Sequence, residues 1–265
     1  MRRWIPFMKS APRVAVVRLQ GAIGVAGRSS LSDRSLAGVL EKAFKSKPDA
    51  VALEINSPGG SPVQSALIGA RIRRLADETE VPVVAFVEDV AASGGYWIAS
   101  AADEIIADAS SILGSIGVIS ASFGLSELLQ RQGIERRVHT AGKSKSMMDP
   151  FSPEKPEDVE RLNRLLGQLH ETFIGQVKSR RGAKLTDNPD LFTGEIWIGQ
   201  SAVDEGLADG LGHLVPIMKQ RFGDKVRFKR FEQRKPLFPR FGAQVTQGAL
   251  GEIEERADFA RFGLS

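Results

Sequence analysis

The stretch that decides the fold is "DVAASGGYWIASAADEIIA", Asp89 to Ala107. An apolar run leads into Ser93-Gly94-Gly95, and a small-residue apolar helix follows at once. A bare turn needs a single Gly, so the extra Gly and the Ser call for another reason. The segment reads as a device that holds one hydroxyl at the mouth of a helix. The bland alternative is that Ser93 caps the helix, the commonest job for a Ser in that place.

A second segment upstream repeats the design. In "AVALEINSPGGSP" a continuous apolar run, typical of a buried parallel strand, ends in Gly59-Gly60, and a helix starts with Ser61 as N-cap and Pro62 in its first turn. Ligands in parallel α/β sheets sit outside the carboxyl ends of the strands. Helix N-termini present free N–H groups there, and Gly allows a substrate to approach the backbone. Two such turns side by side would aim two N–H donors at one developing oxyanion. Neither phosphate-loop pattern is present, so the Gly pairs do not read as nucleotide cradles.

Around these segments the pattern alternates strand and helix. "RVAVVRLQG" and "VPVVAFVED" read as strands, and "SLAGVLEKAFKS" as a helix stopped before Pro48. "EIIAD" and "GSIGVISAS" read as further strands, and "ERRVHTAGKSK" as a strand and loop. From Asp158 to Arg181 an amphipathic stripe through Leu162, Leu165, Leu169, Phe173 and Val177 predicts a long helix, core-facing or in a subunit contact. The fold class expected is α/β, a mostly parallel sheet with helices on both faces. The expected organisation is an N-terminal extension over 1–12, a single domain over 13–222 and a basic C-terminal arm over 223–265.

Composition narrows the chemistry. The 265 residues include no Cys, which removes disulfides, Cys-ligated metals and Cys nucleophiles. No run has the ~18 uncharged apolar residues of a membrane span. A cytoplasmic protein is therefore expected, with a membrane-surface contact open to the patch Trp4 to Met8 beside Arg2, Arg3 and Lys9. The formal charge is +4, with much of the basic excess after Lys225, but there is no nucleic-acid fold motif and nucleic acid is not an expected partner.

A Ser nucleophile needs a base. Of the three His, His170 reads as a surface or contact residue and His213 as structural, leaving His139 as the one His candidate. The G-x-S-x-G elbow is missing, which disfavours an α/β-hydrolase. Lys143 and Lys145 in "HTAGKSKSMMDPFSP" are the other candidates, since burial against Met147, Met148, Pro150 and Phe151 would favour a neutral amine. The common fate of such a Lys is plain exposure.

Taken together, "INSPGGSP", "VAASGGYWIASAADEIIAD", "GSIGVI" and "AGKSKSMMDPFSP" resemble the signal peptide peptidase (SppA-type) family of serine peptidases, which have the ClpP/crotonase fold of repeated ββα units. The likeness runs in order from about Val14 to Val215, with one copy of each motif. It implies Ser93 as nucleophile and Lys145 as general base, with Lys143 second. It implies that Ser115 orients the Lys, that Gly60 is an oxyanion-hole donor with Gly94 as its partner, and that no metal or cofactor takes part. It further implies a ring of copies, tetramer to octamer, in which Ser and Lys meet across a subunit boundary, with the 158–181 helix as a contact. Many relatives carry an N-terminal membrane anchor that is not read here, which leaves signal peptides, other short peptides and membrane-associated fragments all open as substrates. Segments such as "SAL", "YWIAS" and "GVISASFG" are the expected pocket walls.

Two competing readings use the same residues differently. A crotonase-type acyl-CoA enzyme would use the paired N–H groups on a thioester, with Glu88 or Asp89 moving protons. A non-enzymatic assembly protein would leave Ser93 and Lys145 idle.

Overall fold

The computed structural model describes residues 11–24, 30–142, 144–232 and 259–264. The basic arm between these last two stretches, the Trp4–Met8 patch and Lys143 lie outside the described residues. In chain order the elements are β1 (Arg13–Gln20), α1 (Asp33–Lys45), β2 (Ala50–Ser57), α2 (Pro62–Thr79), β3 (Val83–Ala92), α3 (Gly94–Ser100), β4 (Glu104–Ala107) and β5 (Ile112–Gly114). They continue with α4 (Ser126–Arg131), α5 (Pro156–Arg181), β6 (Ile196–Ile198), α6 (Gln200–Asp204), β7 (Gly210–Leu211), α7 (Leu214–Phe222) and β8 (Arg227–Phe231).

Among the described residues these strands form one sheet in the order β6-β5-β3-β2-β1-β8, with β4 beside the first half of β3 and β7 beyond it. Every pairing is parallel except β5 with β6. The continuous apolar run of β2 has a simple cause: all eight of its residues are buried, as expected for a central strand covered on both faces.

One face packs under α1, α2 and α3, where Leu36, Leu40, Phe44, Ile68, Ile72 and Ile98 meet the odd-numbered residues of β1 and β2. The other face carries Val14, Val16, Ala52, Val84 and Phe86 against Leu214 and Met218 of α7. Helices on both faces are thus observed. Ser61 caps α2 as its position predicts, its hydroxyl accepting from the Gln64 N–H, and Glu80 in the left-handed region ends the helix. The long helix is α5, which buries only Phe173, Val177 and Arg181 of its 26 residues. Phe173 stacks on Trp97 of α3 with ring centroids 5.1 Å apart.

Three local readings change. Residues 227–231 are an edge strand paired in register with β1, from Arg13↔Arg227 to Val17↔Phe231, so the sheet continues past 222 and the arm begins later. The signal was the alternation in "RFKRF", masked by its charge. The strand read in "GSIGVISAS" ends at Gly114, because Ser115 turns into the left-handed region at φ 50°. Residues 135–142 form no strand; their segment is exposed, tied back by Arg136 to Asp149 at 3.0 Å and by the Leu125 N–H to the Pro150 carbonyl at 2.6 Å.

Candidate active site

The turns after β2 and β3 lie side by side. A Cβ on Gly59 would stand 2.8 Å from the Cβ of Ser93 and 2.8 Å from the Gly94 nitrogen, so the two segments touch through backbone where only Gly fits. Gly60 is locked onto the segment after β1: the Ser61 N–H donates to the Ile23 carbonyl at 2.7 Å, and the Ile23 N–H donates to that of Gly59 at 2.8 Å. The N–H groups of Gly60 and Gly94 have no hydrogen-bond partner among the described residues.

Ser93 has φ 51° and ψ −121°, a conformation costly for any residue with a Cβ. Its side chain caps no helical N–H. The N-cap reading of Ser93 therefore fails, and strain at a residue that makes no structural bond with its hydroxyl points to function. Its N–H donates to the Gly114 carbonyl at 2.9 Å, which brings the next residue, Ser115, to the same place. Ser115 is held in turn by its N–H to the Glu195 carbonyl at 2.7 Å.

Ser93, Ser115, Gly60 and Gly94 all line one cavity of about 470 Å³. Its other walls are mainly apolar: Pro58, Pro62, Trp97, Leu169, Phe173 and Phe262. Of the expected wall segments, Trp97 and the 117–119 stretch contribute, and 65–67 does not.

Three contributions were not read in the sequence. His170 is half-buried and lines the cavity, its Nε2 bonded to the Ile116 carbonyl at 3.0 Å. Thr193 and Gly194 enter from the loop before β6. Arg261 and Phe262 enter from the far end of the chain, where Phe259, Phe262 and Leu264 pack on Val90, Ala92 and Ile112. No local periodicity signals such contacts, which arise only when distant segments meet.

Lys145 is not brought to this cavity. It is exposed, and no lysine lines the cavity among the described residues. Met147, Met148 and Phe151 are only half-buried and do not enclose it within the single chain. His139 is exposed, exposed His213 faces Asp108 at 3.5 Å, and neither lines the cavity of this chain. Glu88 pairs with Arg18 at 3.3 Å and Asp89 accepts from Asn56, and neither lines the cavity. No group of three or more His, Asp or Glu able to hold a metal occurs among the described residues.

Comparison with known proteins settles the family. The profile of Peptidase family S49 matches residues 76–221, which include Ser93, Ser115 and Lys145. The chain belongs to peptidase family S49. Over its whole length this S49 chain is 51% identical to part of a Brucella melitensis protein named Na(+)/H(+) antiporter NhaA, of which it covers 39%. It is 30% identical to the chloroplastic serine protease SPPA of Arabidopsis thaliana, over 78% of this chain and 31% of that protein. It is 33% identical to protease 4 of Haemophilus influenzae, over 76% of this chain and 33% of that one. The chain thus spans less than half the length of these relatives.

A variant of the membrane-bound stomatin-specific protease 1510-N has the same fold, with a TM-score of 0.51 at 14% identity over 86% of this chain and all of that one. The ClpP-like α/β class expected for an S49 member is therefore the observed one. No helix among the described residues is long and apolar enough to cross a membrane.

Proposed function

We propose that this S49 chain is a serine endopeptidase acting on short or unfolded peptides, in which Ser93 is the nucleophile and Lys145 of a second copy is the general base. The observation that carries the reading is the strained Ser93, its hydroxyl uncommitted, beside the unpartnered N–H groups of Gly60 and Gly94. Nucleophile, oxyanion donors and an apolar wall share one cavity, and the base does not. A second copy docked over the largely exposed stretches 118–142 and 144–155 would bring a lysine and exclude water, which favours the neutral amine. The first of these exposes Ile119, Phe123, Leu128, Ile134 and Val138, apolar surface suited to a closed ring of copies.

In the proposed cycle the neutral Lys145 amine takes the Ser93 proton as Oγ bonds to the scissile carbonyl carbon. The oxyanion is held by the Gly60 and Gly94 N–H groups. Collapse breaks the C–N bond, and the lysine proton passes to the leaving amine. Water then gives a proton to the same lysine and bonds to the acyl carbon; the ester bond to Ser93 breaks, and the lysine proton returns to Ser93 Oγ. Ser115, held beside Ser93 by the Gly114 bond, would orient the incoming amine. The acyl-CoA alternative loses its acid–base candidates, because Glu88 and Asp89 are committed elsewhere.

Ser93→Ala and Lys145→Ala tested on an unfolded protein substrate should each abolish turnover with circular dichroism unchanged. Full activity in either variant contradicts the assignment.

A further inference from the structure

Between β2 and β3 the pairing is not uniform. Ile55 faces Val87, but the next matched pair is Ser57 with Ala91. Asn56 alone therefore stands opposite Glu88, Asp89 and Val90, a bulge with two extra residues on β3. Without it, Gly59 would be level with residue 91, and Ser93 would lie two residues further along, roughly 6.6 Å away. With it, Ser93 is level with Gly59, whose missing Cβ would stand 2.8 Å from that of Ser93. The bulge is what aligns the nucleophile with the two free N–H groups, as bulges beside active sites commonly re-aim a side chain.

One side-chain bond spans it. Asn56 Nδ2 donates to Asp89 Oδ2 at 2.6 Å, from the single residue on β2 to the middle residue of the bulge. Asn56 is 6% exposed and its Oδ1 has no partner among the described residues, so among them this bond alone fixes its amide. Each member sits four residues or fewer from a hole donor or the nucleophile: Asn56 before Gly60, Asp89 before Ser93.

We infer that Asn56 and Asp89 are positioning residues, a clamp on the bulge that keeps Ser93 in register with the Gly60 and Gly94 N–H groups. The inference rests on the proposed serine chemistry. It assigns Asp89 a part in the reaction through Ser93 and not as an acid or base.

The test is steady-state kinetics of Asp89→Ala, Asp89→Asn, Asn56→Ala and the double Ala variant, together with the rate at which a fluorophosphonate probe labels Ser93. Misplacing a reacting atom by about an ångström costs up to 100-fold, so Asp89→Ala and Asn56→Ala should each lower kcat and the labelling rate by roughly ten- to a hundredfold with KM within twofold. The double variant should be no worse than either single one, since both remove the same bond. Asp89→Asn keeps an oxygen acceptor and should recover to within about threefold. Asp89 is exposed, so its variants test the clamp even if Asn56→Ala does not fold. Unchanged kcat and labelling in Asp89→Ala, additive losses, or no recovery in Asp89→Asn would overturn the clamp. Ser93→Ala in parallel separates the outcomes: a Ser93→Ala enzyme that still turns over refutes the serine reading, whereas a dead Ser93→Ala beside a fully active Asp89→Ala refutes only the clamp.

Discussion

The Cβ that Gly60 lacks would lie 2.2 Å from the carbonyl oxygen of Ile23. Backbone therefore presses on backbone where the turn after β2 meets the segment after β1, and Gly60 has φ 139° there. Gly60→Ala should push the turn away, costing at least about 2 kcal/mol of stability from overlap and strain. It should also cut kcat about 100-fold, the usual loss when one oxyanion donor is displaced. Urea unfolding and turnover of the same sample check both.

Ser93 holds a strained backbone, and its side chain caps no helical N–H. A residue with a Cβ at φ 51° and ψ −121° costs of order 1–3 kcal/mol. Ser93→Gly removes that cost and adds back about 1 kcal/mol or less of unfolded-chain entropy. The variant should be inactive yet at least as stable as the unaltered protein in chemical denaturation. A clear destabilisation would show that the Ser93 side chain is a structural group.

Away from the site, Asp209 ties the end of α5 to the sheet. It accepts from Arg181 at 2.7 Å, from Lys184 at 2.6 Å and from the Ile105 N–H at 2.7 Å. Burial pushes its carboxyl up, but these bonds and the Arg181 charge outweigh burial and hold it below the ordinary carboxylate value. A carboxyl depressed on folding stabilises above its unfolded pKa, about 3.9, and loses that contribution as pH falls through the folded value. Asp209→Asn should therefore be less stable by about 3 kcal/mol at pH 7, where it leaves the buried Arg181 unpaired. The gap should close below about pH 4. Thermal melts of the two proteins from pH 7 to pH 3 measure it.

What the sequence made legible was local. The strand–Gly-Gly–helix junctions, the Ser61 cap and the long α5 follow from turn chemistry and periodicity within about a dozen residues. What it concealed was relational. The bulge at Asn56 depends on which residue of β3 faces which of β2, and His170 reaches the Ile116 carbonyl only after α5 has packed on α3. β8 looked like a solvated arm because an edge strand tolerates charge on both faces. Lys145 is exposed within one chain, the common fate of a Lys in such a loop, and the Met and Phe residues that follow it are half-buried without enclosing it.

The apolar surface at Phe123, 85% exposed, and Ile119, 66% exposed, is where copies should meet. Phe123→Glu should lower the mass of the assembly in light scattering and lower turnover with it, while circular dichroism stays unchanged. A variant that keeps the full assembly mass would place the contact elsewhere.

The central claim is that one copy's Ser93 works with another copy's Lys145. Ser93→Ala and Lys145→Ala, each inactive alone, should be unfolded together, refolded as a mixture and assayed for peptide turnover. Mixed assemblies contain sites with an intact Ser93 from one chain and an intact Lys145 from the other, so measurable activity should return, about a quarter of that of the unaltered protein for random pairing at equal amounts. No activity, in mixtures shown by mass spectrometry to contain both chains, would contradict the account.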